Sequence, residues 1–241
     1  MDPAPPPPPD LDAVLRVGQA LLPLSAWHRH RVRGLAHIPQ EGPWILVTNH
    51  SLATYDGFLL GREVLRHGRR VVRGLGDKRI FQVPGLSDFA LSLGLVEANP
   101  GAAEALLARG EPVGVAPGGM WEALRPSSAR ATVRWDGRKG FVRLALRAGA
   151  PLVLAACPAA DALYTVYGNP LTDALYARAH LPLPVARGWG PTLLPRPVRL
   201  THHIAPPLVP PPWDPAQEDA QVDALHARAC TVMAELLSRG D

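Results

Sequence analysis

Long apolar runs are absent from this chain. Nowhere do the roughly 18 consecutive apolar residues needed to span a bilayer occur. No leader pattern precedes the first charged segment. Lysine is nearly missing: of the 25 basic residues, only Lys78 and Lys139 are not arginine. The net charge of +4 is too small, and too unlike a basic–aromatic repeat, to imply nucleic acid, but it suits an anionic surface or an acidic co-substrate. Only two cysteines, Cys157 and Cys230, are present, so no disulfide framework is expected and a reducing cytoplasm fits. Aromatics make up 6%, which leaves the core to Leu, Val and Ala. No internal repeat and no Gly-x-Ser-x-Gly elbow is found. His202-His203 has no carboxylate or cysteine at metal-ligand spacing beside it, so neither a metal nor a resident cofactor is expected.

What is present alternates in period. After a Pro-rich tail at 1–9, read as disordered, Asp10 caps a helix whose Leu11, Val14, Leu15, Leu21 and Leu22 share a face. Pro23 should end or kink it. His28, Arg29, His30, Arg31 and Arg33 follow, so 10–30 reads as an amphipathic helix with a basic cluster, docked either on a membrane surface or on the chain's own core. Short apolar strands are expected at 44–48, 71–75, 112–116, 151–156 and 198–204. Helices are expected at about 56–66, 85–93, 101–109, 139–147 and from 214 to the end. Residues 158–196 lack a clean period, and Tyr164, Tyr167 and Trp189 are candidate interfacial aromatics there. Strands alternating with helices predict one α/β domain over 31–241, its mixed sheet mostly parallel and flanked by helices.

The run NHSLATYDG at 49–57 carries the chemistry. His50 follows a buried strand, and histidine is the commonest general base because its pKa lies near neutrality. A carboxylate accepting the other ring N–H would fix the tautomer, and Asp56 is the candidate. Residues six apart on one helix face opposite ways, so the two meet only if the chain turns between them. Gly57 suits a close approach there. Ser51, adjacent to His50, points away from it in an extended segment and is not read as a nucleophile. His28, His30, His37, His67, His180 and His226 read as surface histidines.

The stretch VRGLAHIPQEGPWILVTNH at 32–50 resembles the entry to the phospholipid/glycerol acyltransferase superfamily. The segments GDKRIFQVPGL at 76–86, VAPGGMWEAL at 115–124 and RKGFVRLALRAGAPLV at 138–153 are similar to that family in order and spacing, with a weaker match at 194–208. Many members place four residues between histidine and aspartate. This chain has five, like the mono- and diacylglycerol acyltransferase branch. The family's usual FPEGTR block is replaced by Ala116-Pro117-Gly118-Gly119, with Glu122 further on, which favours a neutral glyceride over a lysophosphatidate.

The resemblance implies an acyltransferase working peripherally on the inner face of a membrane. It would move a fatty acyl group from acyl-CoA or acyl carrier protein to a lipid acceptor hydroxyl. Substrate contacts are then expected at Lys78, Arg138 and Lys139 through donor phosphates, at Glu122 through an acceptor hydroxyl, and at Gly118 and Gly119 through backbone N–H groups facing an anionic ligand or oxyanion. Arg125 and Arg130 remain open as phosphate contacts, and Phe81, Pro84 and Leu86 as groove residues. Hydrolysis of the thioester, and lipid binding without catalysis, are the rival readings.

Overall fold

In the computed structural model the described residues are 6–169, 178 and 184–240. Two short N-terminal helices come first, α1 (Leu11–Ala20) and α2 (Leu22–Trp27). Asp10 Oδ1 accepts from the Asp12 and Ala13 N–H groups at the start of α1. Pro23 falls in the first turn of α2, where its missing N–H costs nothing, so the chain bends there and helix resumes. Residues 6–9 are not a free tail: the Pro6 and Pro7 carbonyls accept from Arg109 Nη2 (3.1 Å) and from buried Arg73 Nη2 (2.6 Å).

The body is a seven-stranded sheet. Its strands are β1 (Arg31–Arg33), β2 (Ile45–Thr48), β3 (Arg73–Gly76), β4 (Val96–Glu97), β5 (Val113–Val115), β6 (Leu152–Ala156) and β9 (Thr201–Ile204). A separate antiparallel pair, β7 (Thr165–Tyr167) and β8 (Val185–Arg187), stands apart. The sheet order is β1-β9-β6-β2-β5-β3-β4, and every pairing in it is parallel except β6–β9.

Helices, most of them crossovers, cover both faces, as a parallel sheet requires. They are α3 (Tyr55–Gly68), α4 (Leu86–Ser92), α5 (Pro100–Ala108), α6 (Gly119–Ala123), α7 (Gly140–Ala148) and α8 (Glu218–Leu237). Alternation along β2 sends Ile45 and Val47 into the larger core, with Leu106, Leu146 and Met233 of α5, α7 and α8. Leu46 goes to the opposite core, with Leu60 and Val64 of α3. The expected fold class is the observed one.

Two short strands, β1 and β4, were not expected, because three and two residues carry no readable period. Both histidines of β9 are buried (His202 2%, His203 4% exposed), although alternation on a one-sided sheet would bury only one. The reason is that β9 is an interior strand between β1 and β6, in a sheet covered on both faces.

Candidate active site

Strand β2 ends at the middle of the sheet, and the turn to α3 carries Asn49, His50 and Ser51. Brief extended strands feeding helices put such turns at the carboxyl ends of parallel strands, where open α/β sheets bind ligands. Thr54, at φ 61°, makes the sharp entry into α3 and lets residues 50 and 56 approach.

The two candidate catalytic groups communicate through Ser51. His50 Nδ1 donates to the Ser51 carbonyl (2.9 Å), and Ser51 Oγ donates to Asp56 Oδ1 (2.7 Å). A carbonyl only accepts, so Nδ1 carries the hydrogen in the neutral ring and Nε2 is left as the basic nitrogen. The tautomer expected from Asp56 is therefore set by the backbone of Ser51, and Asp56 takes the Ser51 hydroxyl in place of the His50 ring. Asp56 is 4% exposed, and burial pushes its carboxyl up. The Ser51 bond and the His50 imidazole pull in the opposite direction.

His50, Ser51 and Asp56 line the polar end of a cavity of about 640 Å³, with Asn49 and Thr54 beside them. Its other walls are apolar: Leu46 and Val115 from the sheet, Val72 and Leu95 near β3 and β4, and Leu65 of α3. Helix α1 closes it with Val14, Leu15 and Gly18. Lining residues run from Asp56 in the first turn of α3 to Arg69 just past its end, a span of about 20 Å at the helical rise. Half of the roughly 30 Å hydrocarbon core, the depth of one acyl chain in a leaflet, is about 15 Å. Gly57 and Gly61, one turn apart, line this space, and a Cβ on either would meet nothing within 4 Å. Gly57 thus keeps the cavity open; no close approach occurs there.

The remaining candidates are scattered. Glu122 is fully buried: its Oε2 accepts from the His50 backbone N–H (3.1 Å), and its Oε1 lies 3.5 Å from Arg125 Nη1. Burial raises its carboxyl and Arg125 opposes this. A Cβ on Gly118 would fall inside the Glu122 side chain, so glycine is required where the carboxylate folds back towards His50. The Gly119 N–H donates to the Ala116 carbonyl (2.9 Å) and closes a turn, so it is not free for an oxyanion. Arg138 Nη1 donates to the Pro117 and Gly118 carbonyls and braces that turn. Lys139 pairs with Asp223 (2.7 Å) and ties α7 to α8 on the surface. Lys78 is exposed. None of Lys78, Gly118, Gly119, Glu122, Arg138 and Lys139 lines the cavity.

Three residues hold places other than those expected for them. Arg125 is 4% exposed and committed to Asp161 Oδ2 (2.5 Å) and the Thr132 carbonyl (2.5 Å), so it does not present its guanidinium to a phosphate. Glu122 and Arg125 have the Glu-x-x-Arg spacing of the FPEGTR block, displaced from the position first aligned with it. That spacing was the available signal. His28 is fully buried, with ring nitrogens bonded to the Val198 carbonyl (3.0 Å) and the Tyr55 hydroxyl (2.8 Å). His30 is half-buried against His202 (Nε2···Nδ1 3.0 Å). Neither is the surface histidine expected; His180 lies outside the described residues.

Fold and site together define a layered α/β protein with a histidine at the polar end of an apolar cavity. The chain belongs to the Acyltransferase family, whose model matches residues 29–157. It is 28% identical over 196 residues to the "DGAT1/2-independent enzyme synthesizing storage lipids" of Bos taurus, covering 79% of this chain and 54% of that protein. The Homo sapiens protein of that name is 27% identical over 79% of this chain and 56% of its own length. The chain thus spans about half the length of these curated relatives. The crystal structure of the 1-acyl-sn-glycerophosphate acyltransferase of Thermotoga maritima superposes with a TM-score of 0.59 at 18% identity, over 95% of this chain and 81% of that one; it shares the fold.

Proposed function

We propose that this protein is an O-acyltransferase that moves a fatty acyl group from an acyl thioester, acyl-CoA or acyl carrier protein, to a hydroxyl of a glycerolipid or related alcohol. The observation that carries this reading is the His50 imidazole, its Nδ1 hydrogen committed to Ser51, at the polar end of a long apolar cavity. The acyl chain lies along α3. The acceptor hydroxyl gives its proton to Nε2 as its oxygen attacks the thioester carbonyl. The new C–O bond forms, the C–S bond breaks, and the imidazolium returns the proton to the departing thiolate. The nearby Asp56 charge stabilises the imidazolium. General-base help of this kind is worth about 10²–10⁴-fold, and holding the two substrates in register supplies much of the rest.

A neutral glyceride is the favoured acceptor. The arginine of the Glu-x-x-Arg pair is spent on Asp161 and Thr132, and the animal relatives' name concerns storage lipids. No described helix is long and apolar enough to cross a membrane. Leu11 (59%) and Leu15 (55%) of α1, Trp27 (46%) of α2 and Trp189 (55%) are nonetheless exposed, and Trp27 and Trp189 are in ring contact at 5.9 Å. This apolar surface beside the cavity roof suits a protein lying on lipid.

The test is a radiolabelled acyl-CoA offered with monoacylglycerol, diacylglycerol or lysophosphatidate in vesicles, with products separated by chromatography. Labelled glyceride is expected from the wild type and none from His50→Ala, with the circular-dichroism spectrum unchanged. Free acid alone would establish hydrolysis instead, and wild-type turnover in His50→Ala would remove the base assignment.

A further inference from the structure

The mechanism above leaves a buried histidine pair unused. His202 of β9 is 2% exposed, and its Nε2 lies 3.9 Å from Asp56 Oδ2. Its Nδ1 lies 3.0 Å from Nε2 of His30, which precedes β1. Neither residue lines the cavity. Burial holds both rings neutral, His202 down to about 3 and His30 down to about 4, so each carries one N–H and a single hydrogen lies between them.

The arrangement selects one tautomer. With the hydrogen on His202 Nδ1, the Nε2 lone pair would face the Asp56 carboxylate and repel it. With the hydrogen on Nε2, an N–H faces Oδ2, and Nδ1 accepts from His30 Nε2–H; both contacts are then attractive. Asp56 receives Ser51 Oγ on Oδ1, while the His202 ring nitrogen stands 3.9 Å from Oδ2, beyond hydrogen-bond distance. A gap of 3.9 Å in the resting protein is of the kind that tightens once charge develops.

We propose that His202, oriented by His30, is a positioning residue for acyl transfer, its Nε2–H holding Asp56 ionised and aimed while His50 carries the proton. The inference rests on the reading of Asp56 as the partner of His50. The charged and titratable groups facing Asp56 are His50 on the turn before α3, Tyr55 beside it on α3, His28 at the end of α2, Asp161 after β6, and His202. Facing the histidine pair are His203 on β9, His28, and Arg62 and Glu63 of α3. The carboxylate must be ionised to serve, so loss of the His202 N–H moves the pH at which activity fails upward.

The experiment measures kcat and KM against pH for wild type, His202→Leu, His202→Gln and His30→Phe, each also in the Asp56→Asn background. In His202→Leu, kcat is expected to fall roughly tenfold to hundredfold, the range for one hydrogen bond to a charged group. KM stays near wild type and the acid limb shifts to higher pH. His202→Gln, which retains an N–H donor, recovers part of the rate. In the Asp56→Asn background His202→Leu costs nothing further. An unshifted acid limb, or the same fractional loss in both backgrounds, would overturn the proposal in favour of a packing role. Should His202→Leu not fold, His30→Phe carries the same test with a smaller shift, and an unchanged profile there overturns it equally. Wild-type turnover in Asp56→Asn would overturn the reading of the site and this inference with it; loss in Asp56→Asn without loss in His202→Leu overturns this inference alone.

Discussion

Replacing Glu122 separates two roles for that residue. Its carboxylate accepts the His50 backbone N–H and faces Arg125, with no exposed surface. Breaking a buried pair by removing one partner typically costs about 3–5 kcal/mol. Here Asp161 still pairs with Arg125, so the lower end, about 3 kcal/mol, applies to Glu122→Ala. For a chain of this length each kcal/mol lowers the midpoint by about 2–4 °C, which gives a drop of about 6–12 °C. Glu122→Gln keeps a carbonyl acceptor for the His50 N–H and should lose about 1 kcal/mol, or 2–4 °C. The assay is a thermal melt by circular dichroism beside acyl-transfer kinetics at a temperature where both variants are folded. Acceptor KM should stay near wild type while kcat falls in Glu122→Ala, because the loop carrying His50 loses its brace. A melting point within 2 °C of wild type together with a raised acceptor KM would refute this and return Glu122 to direct substrate contact.

Gly61→Leu fills cavity space that no atom now occupies, so activity on long-chain donors should fall at least tenfold relative to short-chain donors; equal losses across chain lengths would show that the acyl chain lies elsewhere. Stability should also fall in acid. The unfolded chain protonates His202 near pH 6.5, the folded one only near pH 3, so stability is full above 6.5 and is lost as pH drops through that window, at about 1.4 kcal/mol per pH unit. Asp56 and Glu122, raised by burial, pull the other way. The difference between wild type and His202→Leu in denaturant melts at pH 6.5 and 4.5 reads the histidine together with its effect on His30 and Asp56, and an identical pH dependence would exclude it.

Most of the architecture was legible because period and punctuation agree in this chain. The run Ile45–Thr48 is too short and too apolar to be a helix, and Asp10 and Asn99 both cap the helices that follow them. His50 and Asp56 stood out because the family-like segments at 32–50, 76–86, 115–124 and 138–153 surround them in order; a histidine and an aspartate at that spacing alone would read as loop and helix cap. The errors share one cause. His202 and Arg125 owe their environments to partners 172 and 36 residues away, and no local pattern encodes such pairings. Pro6 and Pro7 read as tail because a polyproline stretch has no side-chain hydrogen bonds, yet their carbonyls are acceptors, and Arg73 and Arg109 use them.

Helix α3 holds Asp56 in its first turn and the cavity-lining Gly57 and Gly61 after it. On the function proposed here, one rod then governs both the partner of the catalytic turn and the width left for a hydrocarbon beside it. A sequence change that tilts this rod would alter chain-length preference and turnover together, so in this protein the two traits should be inherited as a linked pair.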